Sequence, residues 1–134
     1  MDFEKIKAAS QAYQADMTRF LRDMISHPSE SCEEREVVHC IKAEMEKLGY
    51  DKVEVDRDGN VFGTMKGTGG GSSVMLNCHM DVVYEGDESL WPYPPYSGAI
   101  AEGRVWGRGA SDTKGTMAIQ IYVPFLLKEA GLLP

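Results

Sequence analysis

Val74-Met75-Leu76-Asn77-Cys78-His79-Met80-Asp81 is a short apolar run that closes on a histidine and an aspartate two residues apart. Its length suits a buried strand better than a helix, so Val74–Cys78 reads as the central strand of an α/β domain. In open α/β sheets, ligands gather beyond the carboxyl ends of strands, where loops converge. A histidine at that position can present one ring nitrogen to a metal. A carboxylate two residues on can hold the other nitrogen, fixing tautomer and orientation. His79 and Asp81 are therefore candidate site residues. Taken alone, the H-x-D pattern fits a structural or merely exposed histidine better than a metal ligand.

Upstream, GTGGGSS at 67–73 is a loop. It lacks the lysine of a phosphate-binding GxxxxGK[ST] loop, which excludes that reading. Lys52 to Asp56 alternates polar and apolar residues as a half-buried strand does. Asp58-Gly59-Asn60 is a turn signal, and Val61 to Lys66 can return as a second strand. Nearer the start, apolar residues at three- and four-residue steps predict one amphipathic helix over residues 2–26, ended by Pro28. Ser31 and Glu34 have capping-box spacing and predict the start of a second helix. Its apolar stripe is Val37, Val38, Ile41, Met45 and Leu48, and Gly49 is its stop.

Downstream lies an irregular stretch containing Trp91, Pro92, Tyr93, Pro94, Pro95 and Tyr96. It reads as a packed lid over the sheet, the alternative being a cage for substrate. Ala99 to Trp106 predicts a hairpin turning at Glu102-Gly103. Gly107-Arg108-Gly109 opens a second loop, and within GRGASDTKG at 107–115 sits Asp112. Glycines permit close backbone approach, and a carboxylate at the mouth of a helix can bridge two cations with its two oxygens. The plainer reading of Asp112 is a helix N-cap. Arg108 is expected to pair with a nearby acid of the protein, the alternative being a substrate carboxylate. A helix is predicted from Thr113 to Ala130, with a kink or break at Pro124, whose ring clashes with the carbonyl of Gln120.

The bulk composition bounds the function. With 134 residues the chain suits one domain with a real core. A net charge of −7 argues against a nucleic-acid surface. No apolar run approaches a membrane span, and the charged start MDFEKIKAAS is unlike a signal peptide, which points to the cytoplasm. The three cysteines, Cys32, Cys40 and Cys78, form no C-x-x-C pair and read as buried or half-buried free thiols.

The motifs HMDVV, WPYPPYSG and GRGASDTKG, in this order, resemble the di-zinc metallopeptidase family. That family includes acetylornithine deacetylases, succinyl-diaminopimelate desuccinylases, aminoacylases and glutamate carboxypeptidases. The segments YQADMTRFLRDMISHPSES and CEEREVVHCIKAEMEKLGYDKVEVDRDGN look most like a subgroup of hydrolases linked to selenium metabolism. The resemblance implies that residues 1–134 are the N-terminal part of a three-layer α/β/α catalytic domain. Two N-terminal helices, a mixed sheet and one helix after the metal loop would build it. It implies hydrolysis of C–N amide or peptide bonds in a small-molecule substrate, and a homodimer for the intact enzyme. His79 becomes a zinc ligand and Asp112 the aspartate that bridges two zinc ions, although imidazole and carboxylate also suit cobalt or manganese. Asp81 becomes the catalytic carboxylate that orients His79, and the Asp112-Thr113 peptide is expected to be cis.

In that family the general-base glutamate and the other ligands follow the helix after the bridging aspartate. The expectation is therefore an incomplete site, with each metal under-coordinated, no positioned proton acceptor, and no turnover by this polypeptide alone. The alternative is a non-catalytic α/β remnant that acts by association.

Overall fold

The computed structural model describes residues 2–133. Four α-helices and two small hairpins occur among them, in the order α1 (Phe3–Ala12), α2 (Gln14–Ser26), α3 (Arg35–Lys47), β1 (Lys52–Val55), β2 (Val61–Thr64), β3 (Ala99–Ala101), β4 (Arg104–Trp106) and α4 (Gly115–Glu129). The α/β class expected from the sequence is found. The core is helical: Phe20 and Met24 of α2, Val37 and Ile41 of α3, and Met117, Ile121 and Tyr122 of α4 form one buried cluster. The stripe predicted for the second helix is the face that packs there. Gly49, at φ 71°, ends that helix as expected. The Tyr50 amide donates to the Met45 carbonyl and the Gly49 amide to the Glu46 carbonyl, the bonds of a Schellman stop.

A polar pin crosses this core. Glu44 is 5 % exposed, and its carboxylate accepts hydrogen bonds from the Tyr122 hydroxyl and from Arg19. Burial pushes its carboxyl up, but these two donors outweigh it and hold the group below the ordinary glutamate range. The three helices that build the core are thus also joined through one charge.

Several local expectations are corrected. The single helix over 2–26 is two helices, parted at Tyr13 (φ −103°, ψ 11°). No residue of α1 is buried, and of its apolar residues only Ala9 packs half-buried against the core. The Tyr13 ring meets Phe125 edge-on, at 4.9 Å. The Ser31–Glu34 capping box does not form: α3 starts at Arg35 without a side-chain cap. Glu34 Oε1 accepts from the Cys32 amide, and Ser31 turns elsewhere. Of the kink or break expected at Pro124, the break is absent, since α4 runs through it. The Tyr50 hydroxyl donates to the Ile121 carbonyl at 2.6 Å, beside the Gln120 carbonyl that proline leaves without its usual donor. Cys32 is exposed rather than buried, while Cys40 and Cys78 are half-buried free thiols as expected.

The largest correction concerns Val74–Cys78. The strands pair only as β1–β2 and β3–β4, two antiparallel hairpins, in place of one mixed sheet. Residues 74–78 take no strand partner among the described residues. A strand exists only through the neighbour that accepts its ladder, so an apolar run without one is left bare: Val74 is 85 % and Met75 82 % exposed. The hairpin at 99–106 forms where the sequence placed it. Among the described residues, no helix is long and apolar enough to cross a membrane.

Candidate metal centre

Two segments far apart in sequence meet at one cleft. The first is the extended run that ends in His79-Met80-Asp81. The second is the wide turn Ala110–Lys114, entered from Gly109 and leading into α4. Gly109 has φ +79°, and a Cβ there would stand 2.6 Å from Val82 Cγ1, so only glycine lets this turn lie against the first segment. Within the turn, Asp112 and Thr113 leave helical backbone angles, and the peptide between them is cis, as the resemblance implied. The Asp112 carboxylate faces His79 instead of capping the helix, and no side-chain cap bond is made at the start of α4. The N-cap reading of Asp112 is thereby corrected.

His79 stands between two carboxylates. Its Nδ1 lies 3.1 Å from both the carbonyl and Oδ1 of Asp81, and its Nε2 lies 3.2 Å from Asp112 Oδ1. Every one of these neighbours is an acceptor, two at Nδ1 and one at Nε2, so each nitrogen faces an oxygen that can take its proton, and the Nδ1–H tautomer satisfies the larger number. Desolvation pulls the imidazole pKa down, yet the bonds to Asp81 and Asp112 and their charges raise it on balance. On Asp81, the Ser31 hydroxyl, with the charge of His79 behind it, holds the carboxyl below its usual range. The His79 and Asp112 side chains are 54 % and 89 % exposed, so as an ion pair alone they contribute little to stability.

The chemistry of this donor set fits a metal. Two ligand atoms each about 2.0–2.1 Å from a tetrahedral zinc ion stand about 3.3 Å apart, close to the separation between His79 Nε2 and Asp112 Oδ1. In the Nδ1–H tautomer the Nε2 lone pair would be the donor to a cation, with Asp81 in the outer position that orients metal-bound histidines. Imidazole and carboxylate suit zinc, cobalt or manganese alike. Among the described residues, no group of three or more His, Cys, Asp or Glu side chains is placed to hold a cation. His79 and Asp112 are a pair of donors and not a closed site.

Three residues that frame this pair were not expected at the site from the sequence. Ser29, fully buried, donates from Oγ to the Met80 carbonyl and accepts at its own carbonyl from the Val82 amide. Ser31 Oγ donates to Asp81 Oδ2 at 2.8 Å. Lys114 is fully buried, with Nζ donating to the carbonyls of Met24 and His27 at the end of α2. Burial pushes its ammonium down to about 8. The connection between α2 and α3 thus grips both halves of the site. The only sequence signal was Ser31 itself, whose spacing to Glu34 also satisfies a helix cap.

The aromatic stretch packs around Glu85. Its carbonyl accepts from Trp91 Nε1 and from Arg108, and its carboxylate accepts from Tyr96. The Arg108 guanidinium lies 4.9 Å from the Trp91 ring centre. Arg108 therefore meets a carbonyl and a ring, not the protein carboxylate expected for it. The cleft, of about 220 Å³, is lined by His79, Asp81, Val82, Arg108, Ser111 and Asp112 among others.

Comparison with known proteins bears on this arrangement. Residues 75–134 match the model of peptidase family M20/M25/M40. The chain is 47% identical over 130 residues to the uncharacterized protein YgeY of Escherichia coli (strain K12), a match that takes in 97% of this chain and 32% of that protein. It is 35% identical over 105 residues to a succinyl-diaminopimelate desuccinylase of Cereibacter sphaeroides (strain ATCC 17029 / ATH 2.4.9), covering 77% of this chain and 28% of the relative. Among solved structures it is similar to the M20 family metallo-carboxypeptidase Sso-CP2 from Sulfolobus solfataricus. The TM-score is 0.68 at 25% identity, over 86% of this chain and 28% of that one. The chain thus spans about a third of the length of the curated relatives it matches. These matches support the peptidase M20/M25/M40 family.

Proposed function

We propose that this chain is the N-terminal part of the catalytic domain of a metal-dependent hydrolase of peptidase family M20/M25/M40, acting on C–N amide or peptide bonds. The observation that carries the reading is the meeting of His79 Nε2 and Asp112 Oδ1 at 3.2 Å, from segments 33 residues apart. In this reading His79 would be a ligand through Nε2, the Asp112 carboxylate would be shared between two zinc ions, and Asp81 would hold the proton on His79 Nδ1. A bound metal pair supplies Lewis-acid polarisation of the scissile carbonyl and lowers the pKa of the attacking water. The chain's own part is to hold donors in place: Asp81 fixes the imidazole, the Gly109 turn aims Asp112, and Arg108 on Trp91 walls the cleft.

The pair is two donors where zinc sites use three or four. The remaining ligands and the proton acceptor are assigned to polypeptide outside residues 1–134, and these residues alone are assigned weak metal binding and no turnover. We place the chain among cytoplasmic, homodimeric enzymes acting on small amides or peptides. The subgroup linked to selenium metabolism is favoured by the N-terminal segments that resemble it.

The test is made on the longest polypeptide that carries this sequence. His79→Ala and Asp112→Ala are each expected to abolish both bound metal and amide hydrolysis. Full hydrolysis by either variant overturns the reading. Calorimetry on residues 1–134 checks the second part, and two zinc ions bound per chain with sub-micromolar affinity would contradict it.

A further inference from the structure

We propose that Ser31 is a positioning residue of the metal centre: its hydroxyl fixes the rotamer of Asp81, and through Asp81 the tautomer and aim of His79. The proposal rests on His79 serving as a ligand through Nε2 and extends the orienting set by one member.

The two oxygens of Asp81 are divided between two partners. Oδ1 faces His79 Nδ1 at 3.1 Å, and Oδ2 accepts from Ser31 Oγ at 2.8 Å. A carboxylate held by one oxygen swings about its Cβ–Cγ bond, a broad and soft torsion. Held by both, it presents Oδ1 to the imidazole in one plane. Ser31 is itself held in register. Two residues before it, buried Ser29 is bonded to Met80 and Val82, which flank Asp81. On the other side, Cys32 takes φ +76°, with its amide bonded to Glu34. The serine is thus fixed from both sides in the one place from which its hydroxyl reaches Oδ2.

This explains why the capping-box pattern yields no cap. The residue types suit a helix start, but the hydroxyl is committed to Asp81. It also distinguishes Ser31 from a structural serine. Ser31 is exposed, and truncating an exposed side chain ordinarily changes stability by no more than about 0.5 kcal/mol. Its consequence lies in the ring of His79.

The experiment is nitrogen NMR of the three histidines in the metal-free chain, at a pH above the His79 titration, with His79→Gln to assign the signal. The parent is expected to populate mainly the Nδ1–H tautomer. In Ser31→Ala the ratio of Nδ1–H to Nε2–H is expected to fall about fivefold, the equilibrium weight of one net hydrogen bond. Ser31→Thr, which keeps the hydroxyl, is expected to restore it. An unchanged ratio in Ser31→Ala overturns the proposal, as does a loss of fold in that variant, which would make the serine structural. Zinc added to the longest polypeptide that carries this sequence separates the two readings. If Ser31→Ala shifts the tautomer but zinc leaves the His79 nitrogens unmoved, the ligand assignment fails while the hold of Ser31 on the ring stands.

Discussion

The helical side of the molecule and the segment 74–84 are both rich in apolar residues, yet they are held in opposite ways. Phe20, Met24, Val37 and Tyr122 are wholly buried, whereas Val74, Met75, Val83 and Tyr84 are between 66 % and 85 % exposed. The helices are held by close packing. The segment that carries His79 and Asp81 is held by Val82, which is 6 % exposed, by Cys78 and Met80, which pack half-buried against the core, and by polar contacts with the α2–α3 connection. Packing therefore sets whether the chain folds, while hydrogen bonds from neighbouring elements set whether the candidate site has one geometry. The two can be perturbed separately.

The sharpest contrast is between large-to-small substitutions on either side. Phe20→Ala is expected to cost about 3–5 kcal/mol in urea unfolding, whereas Val74→Ala stays within about 0.5 kcal/mol. Equal costs would mean that the exposed segment is packed in solution, by self-association for instance, since bare apolar patches mark association surfaces. Sedimentation at several concentrations would then show it.

Next in size is the polar pin. Glu44→Ala leaves the Tyr122 hydroxyl and Arg19 without their acceptor and is expected to cost about 2–3 kcal/mol. Because the folded carboxyl is held below the ordinary glutamate range, its stabilisation is full above that range. It is lost as pH falls through the folded value. Glu44→Gln should flatten that part of the stability–pH curve; an unchanged slope would show that the pin is not the titrating group.

Smaller effects belong to the site. Gly109→Ala forces a left-handed backbone on a residue whose Cβ meets Val82, and is expected to cost about 1–3 kcal/mol. It should also separate Asp112 from His79, seen as loss of nuclear Overhauser contacts between the two segments. Lys114→Met removes two hydrogen bonds to the end of α2 and should cost about 1–3 kcal/mol, with the same loosening of the turn. A loss of stability in both variants with the contacts intact would separate the turn from the site.

What the sequence disclosed followed the same division. The stripe of α3, the stop at Gly49 and the hairpin at Glu102-Gly103 are local signals, and each could be read from residues near one another. The meeting of His79 with Asp112 was legible only through the resemblance, because nothing in the H-x-D or GRG segments alone specifies a partner 33 residues away. Ser31 was misread because its spacing to Glu34 satisfies a helix cap as well as it satisfies Asp81. Lys114 escaped notice because a lysine in a polar loop is ordinarily solvated, and only the fold brings the carbonyls of Met24 and His27 to it. Val74–Cys78 has the composition of a strand, but composition cannot supply the neighbour that a strand requires.

The convergence of His79 and Asp112 on one cation is tested most directly by titrating zinc into isotope-labelled protein while following the His79 ring nitrogens and the Asp112 carboxyl carbon together. Both signals are expected to move along a single binding curve, and both responses to vanish in His79→Ala. Zinc that moves one of them and not the other, or that binds with both unmoved, would contradict a shared site.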